Sequence, residues 1–265
     1  MFSRLYLSLY LVCTFSLAAS LPGMSLPVCA EEDPLWDDLS ENEANHFIIR
    51  YRGGENAVAG HIIAILLEEA YISVGADFDY HLDEKVEAFL YSRERFRDIT
   101  RSPSWAGAIY DGAIKIPAGG ITEKTDLLEE VLFHEYTHAV VHRLSKGRAP
   151  MWLNEGIAQY EEGKRQGLYR EILRDILEQR ERVSLRRLEG PFIGLNEEDA
   201  VAAYVLSLSA TEYLVSEFGV SAVRNILEEL GGGRELEDAV FSALYLSYDE
   251  LEKNWLLSLK RSLGK

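Results

Sequence analysis

The sequence predicts an α+β chain in which a mixed lobe with an antiparallel or mixed sheet comes first and an all-helical lobe follows. Three observations predict it. Segments with strand character all lie before residue 117, nothing after Gly163 reads as a strand, and two consecutive helices, over 124–144 and from Pro150 to about Gly163, stand between these regions. The expected organisation is a leader over 1–30, a flexible acidic lead-in over 31–45, a mixed lobe over 46–163 and a helical lobe over 164–265.

The elements follow in order. HFIIRY at 46–51 has the β-branched and aromatic content of a strand, and Gly53-Gly54 closes it. Over 56–74, Val58, Ile62, Ile65, Leu66 and Tyr71 recur at helical spacing with Glu68 and Glu69 outward. KVEAFLY at 85–91 alternates as a second strand, and a short basic helix runs from Arg93 to Ile99. Residues 105–116 read as two short strands around Asp111-Gly112, a dipeptide suited to a tight hairpin turn. The helix over 124–144 has Gly147 as its stop, and Pro150 opens the next helix, where its missing N–H costs nothing. Helical patterns then run over 165–182, 196–217, 220–230, 235–243 and 247–262.

The first 30 residues read as a secretory leader rather than as part of the fold. Arg4 is their one charge, a leucine-rich run extends from Leu5 to about Ala19, and Val28-Cys29-Ala30 offers small side chains where a signal peptidase cuts. Cleavage after Ala30 is expected, with export to the periplasm or the exterior. The competing reading is an uncleaved membrane anchor, for which the apolar run is short against the ~20 residues a bilayer needs. Cys13 and Cys29 both lie in this segment, so the mature chain would carry no thiol, no disulfide and no sulfur ligand for a metal. The formal charge is −17, from 44 acidic and 27 basic residues. That excludes a nucleic-acid partner, whose phosphates need a basic face, and argues against docking on anionic lipid.

The chemistry is concentrated at 134–138, His-Glu-Tyr-Thr-His. On a helix, positions i and i+4 share one face, so the imidazoles of His134 and His138 can bind one metal ion together. Glu135 points about 100° aside, so it is no ligand but can reach a water on the metal. The flanking Leu127, Leu128, Val131, Leu132, Phe133, Ala139, Val140 and Val141 make the helix a buried one. Two buried histidines and a glutamate without a shared partner would be costly, and a metal removes that cost. A catalytic zinc ion usually takes three protein ligands and keeps one position open. Without cysteine, the third must be His, Asp or Glu. Glu155, in Trp152-Leu153-Asn154-Glu155-Gly156-Ile157-Ala158, sits in the first turns of the next helix, which a turn can bring back to the metal.

HEYTH followed by WLNEGIA resembles the gluzincin (HExxH…E) zinc metallopeptidases, related to thermolysin, and most of all the peptidase MA-like branch related to aminopeptidase N. The resemblance implies a zincin-like lobe, one Zn2+ ion, and a peptide or protein substrate. It implies that the glutamate of the Asn-Glu-Gly motif, here Glu155, is the third ligand; it follows His138 by 17 positions (138 to 155). It implies a tyrosine on a helix about fifty residues further on that stabilises the oxyanion, and the register of 203–219 places this role on Tyr204. Asn154, Glu161 and Glu162 are candidates to orient the ligands, the competing reading for each being a solvated helix residue. The hairpin over 106–116 stands where these enzymes bind substrate backbone on an edge strand. It lacks the Gly-x-Met-Glu-Asn motif of aminopeptidase N, which leaves endopeptidase and aminopeptidase action both open.

Two neutral imidazoles and one carboxylate leave a zinc ion one net positive charge, so it remains a strong Lewis acid. Glu135 would take the proton of water and pass it to the leaving amine. The contrasting reading is a non-catalytic, zinc-stabilised binding or assembly protein of the cell envelope that keeps a peptidase fold. Glu135 speaks against it, because a purely structural site has no use for a base beside an open position.

Overall fold

The computed structural model of the protein describes residues 39–53, 56–100, 107–163, 169–179 and 183–264. The expected leader, residues 31–38 of the lead-in, the start of the hairpin at 105–106, and 165–168 and 180–182 of the next helical pattern lie outside the described residues. The architecture is α+β: a five-stranded mixed sheet among the described residues, with a helical C-terminal part. The chain divides into two compact units. One runs to Ala76 and from Tyr80 to Ala139; the other comprises Asp77–Asp79 and everything from Val140.

The first unit holds the sheet. Its strands are β1 (Ser40–Glu43), β2 (Phe47–Tyr51), β3 (Val86–Tyr91), β4 (Ile109–Tyr110) and β5 (Ile114–Pro117), in the order β1-β2-β3-β5-β4. β2, β3 and β5 are parallel, while β1 and β4 pair antiparallel at the two edges. A parallel pair cannot be joined by a tight turn, and helix α1 (Ala57–Phe78) makes the crossover from β2 to β3. Period-two burial sorts the strand residues: Phe47, Ile49, Ala88, Leu90, Ile114 and Ile116 are buried, whereas Ile48, Arg50, Glu87 and Lys115 alternate with them and are half-buried.

The edge strand β1 falls inside the segment read from sequence as a lead-in. Its sequence, SENE, has no β-branched or aromatic residue. Backbone pairing with β2 sets it, and Arg50 supports it by binding Glu41 at 2.7 Å and Glu87, across on β3, at 3.0 Å. Lys85 adds a bond to Glu43 at 2.5 Å. At the other edge the Asp111-Gly112 turn is closed by Asp111 N–H donating to Ala113 O at 3.2 Å, with Gly112 at φ 108°, a value that favours glycine.

Helix α1 lies directly on β2: a Cβ on Gly60 would come within 2.8 Å of the Tyr51 ring. Further along, Glu68 accepts hydrogen bonds from the His46 backbone N–H at 2.8 Å and pairs with His46 Nδ1 at 2.6 Å. Tyr71 stacks on the His46 ring at 3.6 Å and stands 6.0 Å from Tyr136 of α3 (Asp126–Ser145). Tyr136 also meets Phe47 edge-on at 5.5 Å, so β2, α1 and α3 share one aromatic core. Between β3 and β4, α2 (Arg93–Thr100) turns Phe96 inward against Ile109.

The second unit is helical: α4 (Met151–Glu161), α5 (Tyr169–Gln179), a 3-10 turn at Leu185–Leu188, α6 (Glu197–Phe218), α7 (Val220–Gly231), α8 (Leu236–Leu244) and α9 (Tyr248–Ser262). Helix α6 is central, touching α4, α5, α7 and α9. Asn196 caps α6 by accepting from Asp199 N–H at 2.9 Å, and Ser247 with Glu250 forms a capping box on α9. Buried indoles bridge helices. Trp152 donates to the Tyr248 hydroxyl at 3.0 Å, and Trp255 to Ser209 Oγ at 3.2 Å.

Candidate metal and catalytic site

Helix α3 presents His134 and His138 one turn apart, with ring centroids 4.7 Å apart and planes at 83°. Both are buried, as are Glu135, Tyr136 and Thr137 between them. The Thr137 hydroxyl donates to the Phe133 carbonyl at 2.7 Å and so turns back onto its own helix. His142, one turn beyond, is half-buried, and burial, aided by Arg143, lowers its pKa and favours the neutral ring. Burial likewise raises the Tyr136 phenol, with Tyr71, Tyr80 and Glu68 adding to the effect.

Helix α3 ends at a glycine stop. Gly147, at φ 72°, donates its N–H to the His142 carbonyl at 3.1 Å, and Pro150 then precedes α4 as its N-cap. The first turn of α4 is pinned by Met151 N–H donating to Glu189 O at 3.0 Å and by the Trp152–Tyr248 bond. The Tyr248 phenol is itself raised by burial first and then by Glu189.

This arrangement brings Glu155 to the histidines. The ligand atoms of His134, His138 and Glu155 all lie within 4.8 Å of one another, and none of the three residues is more than 1 % exposed. The donor set fits a metal of zinc type. Two imidazole nitrogens and one carboxylate oxygen are what such an ion takes when a position is kept for water or substrate. The three residues together form a group that could hold one metal ion.

Helix α4 meets α6 with almost no side chain between them at Gly156. A Cβ there would fall 2.4 Å from Ser207 O and 2.3 Å from Thr211 Oγ1. Glycine is required for contact, since Gly156 is helical and needs no unusual φ. The close approach sets Tyr204 on the α6 turn that faces α4. Tyr204 is buried, its ring meets Phe192 edge-on at 5.4 Å, and its backbone carbonyl accepts a hydrogen bond from Gln159 Nε2 at 3.1 Å. Asn154 is buried in α4, whereas Glu161 and Glu162 are half-buried at the end of that helix.

Two residues at this site escaped the sequence reading. Gln159 follows Glu155 by one turn, and that spacing was a readable signal that both share a face of α4. Phe192 is a lone aromatic in an irregular segment, and no pattern around it pointed to Tyr204.

The fold and the paired helices with their His-His-Glu group define a protein of the peptidase class. The chain matches the model of the Peptidase MA superfamily over residues 55–261, and it belongs to that superfamily. It is thus a peptidase-type enzyme whose substrates are peptides or proteins. A comparison with curated proteins finds no match.

Proposed function

We propose that the chain is a zinc-dependent peptidase of the gluzincin type, exported after removal of residues 1–30. The observation that carries this reading is the convergence of His134, His138 and Glu155 within 4.8 Å in a buried setting. Zinc held by these residues would supply Lewis acidity toward water and the scissile carbonyl.

The remaining work belongs to side chains of this chain. Glu135 adjoins His134 on α3, and its carboxylate accepts the proton of the attacking water. As the peptide C–N bond breaks, Glu135 delivers that proton to the departing nitrogen, so the acid and the amine are both accounted for. Tyr204 donates its hydroxyl hydrogen to the oxygen that becomes negative during attack. The substrate backbone adds as a strand to β4, which ends the sheet order and pairs with β5 on one side.

Metal analysis combined with digestion of an unstructured protein tests the proposal. The expected result is about one zinc per chain, with cleavage that stops on chelation and returns with zinc. A zinc-loaded chain that cleaves nothing would support the non-catalytic assembly reading instead. Cleavage that persists undiminished after complete removal of metal would overturn the zinc mechanism.

A further inference from the structure

We propose that Gln159 is a positioning residue that locks the turn of α4 carrying Glu155 to the turn of α6 carrying Tyr204. The inference rests on the zinc-peptidase reading above and deepens it.

A glutamine amide has two N–H donors. Gln159 Nε2 lies 3.1 Å from the Glu155 carbonyl and 3.1 Å from the Tyr204 carbonyl. One amide nitrogen thus joins the proposed metal ligand to the proposed oxyanion donor. Both bonds go to backbone oxygens, so they fix the separation of the two turns without engaging either functional side chain. Gln159 is 9 % exposed, and bonds in such a setting are strengthened by the low local dielectric.

The surroundings make this a two-point clamp. At Gly156 the helices touch with no room for a Cβ, and one turn further on the Gln159 bridge spans them. Contact at Gly156 limits how near α4 and α6 can come. The bridge limits sliding and rotation of α6, the motions that would move the Tyr204 hydroxyl relative to the Glu155 carboxylate. Catalysis by oriented donors is sensitive to displacements of this size. A buried amide used only for packing would serve equally well as an apolar side chain of the same length, which gives the test its contrast.

Gln159→Met keeps length and burial and removes both donors. Zinc-loaded Gln159→Met should retain one zinc per chain, with kcat lowered about tenfold and KM within about twofold of wild type. Zinc release to a chromogenic chelator should be about tenfold faster. In a Tyr204→Phe background the same substitution should change kcat by less than about twofold, because its effect runs through Tyr204. Wild-type turnover, wild-type zinc release, or losses that multiply in the double variant would each overturn the inference while leaving the zinc-peptidase reading intact. Absence of zinc-dependent cleavage by the wild-type chain would overturn both. Should Gln159→Met fail to fold, Gln159→Leu serves in its place. It also removes both donors and stays apolar and buried, so the same losses of kcat and of zinc retention are expected. Wild-type kcat and wild-type zinc release in that variant would overturn the inference.

Discussion

Glu155 is the residue on which the proposed metal site turns. The two histidines are set by one helix, but the third oxygen arrives from α4, and a buried carboxylate needs a positive partner to stay ionised. Glu155→Ala should therefore lose most of its zinc and melt at a lower temperature, as read by metal analysis and thermal denaturation. Normal zinc content in that variant would move the third ligand elsewhere, with Glu161 and Glu162 next in line on the same helix. At this scale the sequence was legible where spacing alone decides geometry. His134 and His138 follow from i,i+4 on a helix, and the Asn-Glu-Gly motif pointed to Glu155. Phe192 was not legible, because its contact with Tyr204 exists only once an irregular segment has folded onto α6. Gln159 offered its spacing from Glu155, but its second bond depends on which helix α4 meets.

Gly156 governs the packing of α4 on α6. Adding one methyl would drive a Cβ into the Ser207 carbonyl and the Thr211 hydroxyl, and the carbonyl belongs to helix backbone that cannot turn aside. Gly156→Ala should cost about 1–3 kcal/mol of stability, the usual penalty for overpacking, and lower the melting temperature. An unchanged melting temperature would show that the two helices part at no cost. Element by element, the long periodic segments were readable: α1, α3, α4, α6, α7, α8 and α9 begin and end within a few residues of their patterns. So were β2, β3 and the hairpin. The strand β1 was not, because Ser40–Glu43 has the composition of a solvated segment and owes its conformation to pairing with β2 and to Arg50. The short 3-10 turn at Leu185–Leu188 was also missed, since four residues carry too little periodicity to register.

For the whole molecule, the proposed export after removal of residues 1–30 carries a consequence for its thiols. Both cysteines lie in 1–30, so removal of that segment leaves a chain stabilised by its core alone. Protein recovered from an exporting host should begin near Glu31 by intact mass and carry no reactive thiol. An intact Met1 in a membrane fraction would favour the anchored form. The proposed hydrolysis of peptide bonds with Glu135 as base stands or falls on a paired digestion. Digestion of an unstructured protein is followed for wild type and Glu135→Gln, with zinc measured in the same samples. The carboxamide keeps the shape of the side chain but cannot accept a proton. Equal zinc in both and no detectable hydrolysis by Glu135→Gln are expected; hydrolysis within about tenfold of wild type at equal zinc would remove Glu135 from the role of base.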